Sequence, residues 1–200
     1  MELVLATRNK KKVEEIRRIT EGLNIDVVTL DNFPECPEVK EDGATFMENA
    51  VKKAVAVARY TGKVSLADDS GLEVDALNGA PGIMSARYAG NESDDSKNIG
   101  KLLREMENIP LAKRSARFAC CLALAYPDGR VLTFWGYSYG MIGKEPAGFN
   151  GFGYDPVFYP EGYERTFAEI SGEEKDAISH RGRALSEFGE YLRGFADQVI

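Results

Sequence analysis

The first thirty residues carry the pattern that most restricts how this chain can fold. Residues 2–6 (ELVLA) and 26–30 (DVVTL) are short apolar runs typical of buried strands. Between them, Val13, Ile16 and Ile19 recur at the spacing of one helix face. A strand–helix–strand order is typical of a βαβ unit, in which the two strands pair in parallel. The N-terminal part therefore predicts an α/β protein.

The remainder of the chain predicts further helices and a hairpin. Thr45 and Glu48 form a T-x-x-E capping box, so we expect a helix from there to a stop at Gly62. Residues 127–129, Pro-Asp-Gly, separate two apolar runs and predict a hairpin. Helical spacing recurs near residue 100 and in the C-terminal segment. We expect an α/β fold with a mixed sheet, in a single domain over residues 1–200.

The composition is that of an ordinary globular protein with an acidic balance. Hydrophobic residues make up 44% of the 200 residues, and the formal net charge is −7 at pH 7. Nucleic-acid binders and proteins that bind anionic membranes are usually basic, so neither class is expected. A small anionic substrate held by a local basic patch is compatible with this charge.

Cysteine usage and the first residues bear on the compartment. Cys36, Cys120 and Cys121 show neither zinc-ligand spacing nor an even disulfide framework, so we interpret them as buried thiols in a reducing cytosol. The first apolar run is short and carries Glu2, which argues against a signal peptide. The longest apolar stretch is far shorter than the roughly 20 residues of a membrane helix. We therefore expect a cytoplasmic protein with no membrane partner.

Two adjacent carboxylates follow an apolar run in the stretch SLADDSGLEVD. The strand expected at Val64–Ala67 ends on Asp68 and Asp69, and Ser70 follows. Two like charges at a strand end repel each other and are costly to bury unless a cation is near. Because neighbouring strand residues point to opposite sides, Asp68 and Asp69 are expected to have different tasks.

Basic residues crowd the start of the first helix. Asn9 is a suitable N-cap, and Lys10, Lys11 and Lys12 fill the first turn that follows. A helix N-terminus already carries about half a positive charge, so lysines there favour a bound anion such as phosphate. The same pattern is also compatible with a solvated lysine cluster.

Other chemistry-bearing residues lie where local rules disfavour them. Lys53 falls on a mostly apolar helix face, either as a snorkelling side chain or as a group that reaches an anion. Glu41 is either a surface acid or a partner of Asp69. His180 and Arg181 crowd a second helix start, although a lone histidine is more often structural. The upstream glycine-rich stretch GFNGFGYDPVF can bring backbone and aromatic rings close to a ligand.

These residues form one consistent set. The basic helix starts and the lysine on the apolar face favour an anion, and the three carboxylates favour a cation. Mg²⁺ uses one or two carboxylates and prefers phosphate oxygens for its other positions. A nucleoside triphosphate with Mg²⁺ satisfies both needs, so we interpret the set as a phosphoanhydride site with an activated water nearby.

The chain resembles the inosine triphosphate pyrophosphatase family, also called the non-canonical purine NTP pyrophosphatases. The matching blocks are ordered, span nearly the whole chain, and are specific together although each alone is not. They are TRNKKK at 7–12, EDGATFMENAVKKA at 41–54, ADDSGLEVDALNGAPG at 67–82, SARY at 85–88, GFGYDP at 151–156 and EKDAISHRGRA at 174–184. One departure is Lys11, where many relatives have a small residue. It leaves open which lysine contacts phosphate, and the spacing favours Lys12.

The resemblance implies both a fold and an activity. The implied fold is two-lobed α/β, with helices flanking a long mixed β-sheet and the active site in the cleft between the lobes. The implied protein is a homodimer that hydrolyses ITP, dITP or XTP to the monophosphate and pyrophosphate with Mg²⁺. Such an activity cleanses the nucleotide pool.

The resemblance also implies roles for individual residues. Asp69 is the general base that activates the attacking water, Lys53 and Asp68 are further catalytic residues, and Glu41 faces the metal together with Asp69. The residues implied to hold the phosphates are Thr7, Asn9, Lys12, Lys53 and Ser70, and Arg8, Lys10 and Lys11 are further substrate-binding residues. Those implied to line the base and ribose pocket are Phe152, Gly153, Tyr154, Asp155, Lys175, His180 and Arg181. If Arg181 faces a 6-oxo group, adenine leaves buried donors unpaired and is rejected.

Two other functions fit part of the pattern. Maf-like pyrophosphatases have a similar architecture and cleave modified pyrimidine triphosphates, but the blocks at 41–54 and 174–184 argue against this function. A non-catalytic nucleotide sensor would use the same pocket, but an intact Asp69 with Glu41 argues against it. Turnover of ITP against a modified pyrimidine triphosphate separates the first alternative, and binding without hydrolysis separates the second.

Overall fold

A computed structural model gives the fold and describes residues 2–23, 25–90 and 92–196. The strands are β1 (Glu2–Leu5), β2 (Asp26–Thr29), β3 (Val64–Val74), β4 (Ser115–Ala125), β5 (Val131–Ile142) and β6 (Phe158–Pro160). The α-helices are α1 (Lys10–Ile19), α2 (Phe46–Thr61), α3 (Asp95–Glu105), α4 (Gly172–Ile178) and α5 (His180–Ala196). The strands form one sheet in the order β2-β1-β3-β4-β5-β6. The expected α/β class with a mixed sheet is confirmed.

The N-terminal βαβ unit has the predicted parallel pairing. On one edge of β1, Leu3 lies opposite Val27 of β2, and on the other edge Leu3 lies opposite Val64 of β3. Leu5 at the end of β1 and Ile16 of α1 are both buried, because the strand lies inside the sheet and the helix covers it. Parallel pairing puts the C-terminal end of β1 beside β3, close to where α1 begins.

Helix α2 begins and ends where the capping pattern predicts. Thr45 Oγ1 accepts a hydrogen bond from the Glu48 N–H (3.1 Å), and Gly62 caps the C-terminus with a φ of 66°. The Glu48 carboxylate accepts from the N–H one residue before Thr45, so the reciprocal bond of the capping box is shifted by one residue. The buried face of α2 includes two polar side chains, Asn49 and Lys53.

Strand β3 is longer than the sequence predicted. The sequence analysis predicted a strand that ends at Ala67, whereas β3 continues through Asp68 and Asp69 to Val74. The prediction was wrong because two carboxylates were taken as the end of a buried strand. Their charges are compensated by Lys12, Lys53 and Arg181 from elsewhere in the chain, and the buried Leu72 and Val74 keep the chain in the sheet.

Strands β4 and β5 form the predicted hairpin. The Tyr126 N–H donates to the Arg130 carbonyl (2.9 Å), and the Gly129 N–H donates to the Tyr126 carbonyl (3.0 Å). Strand β6, which the sequence analysis did not predict, pairs antiparallel with β5, with Ile142 opposite Phe158. Helix α4 was also missed. Both elements are too short for a periodic apolar signal.

By their packing, the residues divide into two compact units. Unit 1 contains the residues up to Asp69, Cys120–Gly136, and the residues from Arg181 onward, while unit 2 contains Ser70–Ala119 and Tyr137–His180. Each unit has its own apolar core. The core of unit 1 includes Leu3, Leu5, Ile16, Leu66, Leu122, Leu124, Phe134 and Phe188. The core of unit 2 includes Leu72, Val74, Leu102, Met106, Phe118, Phe158 and Phe167.

The cysteines are free and buried. Cys36, Cys120 and Cys121 all carry thiols inside the protein, as the sequence analysis expected. Burial raises the pKa of Cys121 to about 12, so this thiol stays protonated at neutral pH. Within the part of the chain that the structure describes, no helix has the length and apolar character needed to cross a membrane.

Candidate active site

The loop between β1 and α1 is built around the cap of α1. Asn9 Oδ1 accepts from the N–H groups of Lys11 (3.0 Å) and Lys12 (3.3 Å), so Asn9 is the predicted N-cap. Thr7 Oγ1 accepts from the Asn9 N–H (3.1 Å). Lys10 and Lys11 are exposed, whereas Lys12 is half-buried. This loop brings a helix N-terminus, a hydroxyl group and lysines together, a combination that suits phosphate oxygens.

Arg8 of the same loop contacts a different segment. Its guanidinium donates to the Cys36 carbonyl (2.9 Å), which ties the loop to the chain a few residues before Glu41. Arg8 was predicted to bind substrate together with its neighbours. In this structure it holds two loops together, and its contact with substrate stays a prediction.

The Asp68 carboxylate lies in a network of buried ion pairs. Lys12 Nζ lies 2.9 Å and Arg181 Nη2 lies 3.0 Å from Asp68 Oδ2. Glu15, on the buried side of α1, pairs with Arg181 in turn. Burial alone would raise the pKa of Asp68, but Lys12 and Arg181 hold it well below its usual range. Asp68 is therefore ionised at neutral pH and is matched by two cations.

Arg181 was predicted to contribute donors to the base pocket. Its side chain is 1% exposed, and its guanidinium pairs with both Asp68 and Glu15. In this structure the positive charge of Arg181 therefore serves the carboxylate of Asp68. Recognition of the base by Arg181 stays a prediction.

Asp69 faces a second cation, Lys53. Lys53 Nζ lies 3.6 Å from Asp69 Oδ1 and 3.1 Å from Glu41 Oε1, and it donates to the Asp68 carbonyl at 2.7 Å. Burial raises the pKa of Asp69, and the attraction of Lys53 only partly offsets this rise. Burial also disfavours the charge of Lys53. The nearby carboxylates outweigh this effect, with Asp69 contributing most, and raise the pKa of Lys53 overall. Asp69 is thus more basic than an ordinary aspartate, as a general base requires.

The surroundings of Asp69 fit a divalent cation. Glu41 and Asp69 already converge on one positive group, Lys53 Nζ. Asp69 Oδ2 is buried and has no hydrogen-bond partner within the described residues. Those residues contain no group of three or more His, Cys, Asp or Glu side chains that could hold a metal. Two carboxylates are nevertheless the usual protein contribution to Mg²⁺, whose other positions take waters and substrate phosphates.

In unit 2, one buried ion pair organises the glycine-rich loop 148–155. Asp155 Oδ2 accepts from Lys175 Nζ (2.7 Å) and from the Phe152 N–H (2.8 Å). Gly151 is required because its φ is 73° and a Cβ there would lie 2.0 Å from Asp155 Oδ2. Lys175 Nζ also lies 5.0 Å from the centre of the Phe152 ring, within the range of a cation–π contact.

The next two residues of this loop are held by other parts of unit 2. The Gly153 N–H donates to Asp95 Oδ2 at the start of α3 (2.8 Å). The Tyr154 hydroxyl donates to the Ser85 carbonyl (2.9 Å). Burial raises the pKa of Tyr154, so the hydroxyl keeps the proton that it donates. The loop therefore has a defined backbone on which an aromatic ring can be presented.

His180 is buried in unit 2, where its ring stacks on Phe118 with centroids 4.7 Å apart and planes 11° from parallel. This stack is the structural role that a lone histidine most often has, and contact of His180 with substrate stays a prediction. Ser70, the first residue of unit 2, is half-buried in β3 directly after Asp69.

The structure brings half of the predicted residues into two clusters. In unit 1 these are Lys12, Glu41, Lys53, Asp68, Asp69 and Arg181. In unit 2 these are Phe152, Asp155 and Lys175. Sequence reasoning did not assign Glu15, Asn49 or Asp95. The helical phase contained a signal for the first two, because Glu15 adjoins Ile16 on the apolar side of α1 and Asn49 lies one turn before Lys53.

Comparison with known families decides the relationship. The model of the Ham1 family matches residues 3–191. The chain belongs to the Ham1 family. The family resemblance inferred from the sequence blocks is thereby confirmed.

Individual relatives of this Ham1-family chain are similar over nearly their whole length. A dITP/XTP pyrophosphatase of Desulforamulus reducens is 52% identical over 192 residues, which cover 96% of each chain. A dITP/XTP pyrophosphatase of Geobacter sulfurreducens is 50% identical over 190 residues, covering 95% of this chain and 96% of that protein. The solved structure of a HAM1 protein from Coxiella burnetii is 43% identical with a TM-score of 0.89, covering 97% of this chain and 99% of that one.

Proposed function

We propose that this Ham1-family protein hydrolyses the non-canonical purine nucleoside triphosphates ITP, dITP and XTP to the monophosphate and pyrophosphate, with Mg²⁺. The bond cut is then the α–β phosphoanhydride, and the cellular role is to clear such nucleotides from the pool. The observation that carries the proposal is the convergence of Glu41 and Asp69 on Lys53 Nζ. The roughly half-identical dITP/XTP pyrophosphatases support this enzyme class.

Binding of the triphosphate falls to the basic groups of unit 1. Lys12 and Lys53 supply positive charge, Thr7 supplies a hydroxyl group, and the N-terminus of α1 adds its partial positive charge. Ser70 adds a hydroxyl next to Asp69 in the chain. Cleavage of a phosphoanhydride depends mainly on neutralising charge and on aligning a water, so such a cluster is the chief requirement.

Glu41 and Asp69 are the residues that would hold Mg²⁺. When bound, Mg²⁺ neutralises phosphate charge and makes a water easier to deprotonate. The buried, unpaired Asp69 Oδ2 supports this assignment, because a carboxylate oxygen left without a partner is costly.

Asp69 is the group that takes the proton from the attacking water. Its raised pKa, caused by burial, makes it a stronger base than an exposed aspartate. Lys53 opposes this rise and favours the ionised carboxylate, since its Nζ lies 3.6 Å from Asp69 Oδ1. A base must be ionised and yet basic enough to accept a proton, and these two opposing influences supply both properties.

The base and ribose are assigned to the loop of unit 2. The Phe152 ring offers a face on which a purine can stack, and the Lys175–Asp155 pair fixes the loop beneath it. Donors directed at a 6-oxo group would favour hypoxanthine and xanthine, because adenine would leave those donors unpaired. His180 and Arg181 are included in this proposal on the strength of the family resemblance. The homodimer and the cytoplasmic location rest on the resemblance and on the cysteine interpretation.

A product assay tests the proposed function. The purified protein is mixed with Mg²⁺ and, separately, with ITP, dITP, XTP, GTP, ATP and a modified pyrimidine triphosphate. Pyrophosphate and orthophosphate are measured independently, with a parallel reaction in EDTA. We expect pyrophosphate from ITP, dITP and XTP, and none in EDTA.

Other outcomes identify the alternatives. Orthophosphate as the product, or equal turnover of ATP, would contradict the proposal. Preferential turnover of the modified pyrimidine triphosphate would favour a Maf-like activity. Tight binding of ITP with no hydrolysis at all would favour a nucleotide sensor.

A further inference from the structure

Asn49 is a buried polar residue of unit 1 to which no role has been assigned above. It is 3% exposed and lies on α2 one helical turn before Lys53. Asn49 Oδ1 accepts a hydrogen bond from the Gly43 N–H (2.8 Å). The same helix reaches Asp69 through Lys53, whose Nζ lies 3.6 Å from Asp69 Oδ1.

The contact with Gly43 requires a close approach. A Cβ at residue 43 would lie 2.7 Å from Asn49 Oδ1 and 2.9 Å from Glu48 Cβ. Glycine therefore lets the loop come near enough to α2 for the 2.8 Å hydrogen bond. Gly43 is two residues after Glu41, so this bond fixes the backbone of the loop that carries the Glu41 carboxylate.

We infer that Asn49 is a positioning residue that sets the spacing of the Glu41 and Asp69 carboxylates. Its amide oxygen holds the loop of Glu41 against α2, and α2 itself meets Asp69 through Lys53. The inference rests on the proposed function, in which these two carboxylates hold Mg²⁺.

The physical need for such a residue is plain. Glu41 lies on a loop without regular structure, and Asp69 lies on β3, so their elements alone do not fix the distance between them. Two carboxylates also repel each other until a cation is bound. A buried amide that fixes the loop of Glu41 to α2, the helix whose Lys53 meets Asp69, can hold the two carboxylates at a separation suited to one ion. Partners of this kind typically change metal affinity or activity by about 10- to 100-fold when removed.

The main variant is Asn49→Ala, and unit 2 offers a matched control. Asn98 is also 3% exposed, and its Oδ1 likewise accepts from a loop N–H, that of Ala89 (2.7 Å). Asn98→Ala therefore removes an equally buried amide that clamps a loop to a helix, but in the other unit. A loss of stability that both variants share reflects only the removal of a buried amide that holds a loop to a helix.

Two readouts separate positioning from structure. The first is the affinity for Mn²⁺ alone, measured by electron paramagnetic resonance without nucleotide. The second is the Mg²⁺ concentration that gives half-maximal release of pyrophosphate from dITP. For Asn49→Ala we expect both to shift by about 10-fold or more toward weaker binding. For Asn98→Ala we expect both to match the wild type.

A second variant covers the case in which Asn49→Ala does not fold. Gly43→Ala leaves Asn49 in place but forces its Oδ1 and the loop apart. The φ of Gly43 lies outside the left-handed region, so alanine adds no backbone strain there. We expect the same direction of shift in metal dependence. The double variant should shift the metal dependence no further than Asn49→Ala does, because both changes break the same hydrogen bond.

The outcomes for the inference and for the proposed function are distinct. If the wild type releases no pyrophosphate, the proposed function fails. Hydrogen exchange of the Gly43 amide still tests the clamp in that case, and exchange as slow in Asn49→Ala as in the wild type would overturn it. If the wild type is active but Asn49→Ala has unchanged Mn²⁺ affinity and Mg²⁺ dependence, the positioning role is overturned while the function stands.

Discussion

Asp68 and Asp69 are neighbours on β3, yet the surroundings of the two carboxylates shift their pKa values in opposite directions. On the Asp68 side, two carboxylates meet two cations, because Glu15 and Asp68 pair with Lys12 and Arg181. On the Asp69 side, Glu41 and Asp69 both pair with Lys53, and Lys12 adds a weaker attraction to Asp69. The side chain of Glu41 is 37% exposed, so this second group also reaches solvent.

The difference separates structure from function. The balanced group lowers the pKa of Asp68 and keeps it ionised, whereas burial with incomplete compensation raises the pKa of Asp69. Asp68 Oδ2 already meets two cations, and the lowered pKa keeps this carboxylate unprotonated at neutral pH. The less fully compensated carboxylate of Asp69 favours uptake of a proton or of a further cation. Among the described residues of the site, the group around Asp69 is therefore the better suited to catalysis. The group around Asp68 is better suited to holding β3, α1 and α5 together.

The largest effect is expected from Asp69→Asn. Loss of a general base typically lowers turnover by about 10²- to 10⁴-fold, and here a proposed metal ligand is lost as well. The free energy of unfolding should not fall, because folding raises the pKa of Asp69, which makes its ionised form unfavourable in the folded state. Steady-state release of pyrophosphate and urea unfolding at pH 7 measure the two quantities.

A control for Asp69→Asn is nucleotide binding by calorimetry in Ca²⁺, which should persist if the fold is intact. Near-normal turnover by the variant would contradict the assignment of Asp69. A large loss of stability would instead make Asp69 resemble Asp68, and the contrast between the two sides of β3 would be wrong.

Asp68→Asn is expected to act on stability first. The change keeps the shape of the side chain but leaves Lys12 and Arg181 with one carboxylate between them. Removing one partner of a buried ion pair typically costs about 3–5 kcal/mol, and Asp68 is buried. Urea unfolding should report this loss directly. Glu174→Gln, which breaks an exposed pair with Arg165, is the matched control and should have little effect.

Acid unfolding of the wild type examines the same network. Because folding lowers the pKa of Asp68, its contribution to stability is present above the unfolded pKa of about 3.9 and is lost as the pH falls below it. Asp68→Asn should lose less stability than the wild type over that range. If Asp68→Asn is fully stable but inactive, Asp68 takes part in the chemistry instead.

Much of the fold could be predicted because local signals agreed with it. The βαβ unit, the caps of α2 and the turn at residues 127–129 each have a strong pattern that tertiary packing did not override. The end of β3 at Ala67 was mispredicted, because the compensation of Asp68 and Asp69 comes from residues distant in the chain. The local sequence around Asp68 could not indicate Arg181 as its partner, because the two residues are 113 positions apart in the chain.

The sequence predicted which residues belong to the candidate site more readily than it predicted which of them contact one another. Lysines and carboxylates in unfavourable positions were recognisable, and their grouping around Mg²⁺ and phosphate followed from charge. Which cation serves which carboxylate did not follow, since it depends on the register of β1 and β3 and on the path of α5. Asn49 shows the same limit, because its role depends on a contact with the Gly43 N–H that only the folded chain brings about.

The smallest effect is expected from Lys52→Met, at the surface beside Glu41. Lys52 forms an exposed ion pair with Asp42, and such pairs often contribute nothing measurable to stability. The loop that carries Glu41 is held from inside by Asn49, so the Mg²⁺ concentration for half-maximal activity should match the wild type. That titration, run beside Asn49→Ala, measures it. A shift in Lys52→Met as large as in Asn49→Ala would mean that the surface pair, and not the buried amide, determines where Glu41 lies.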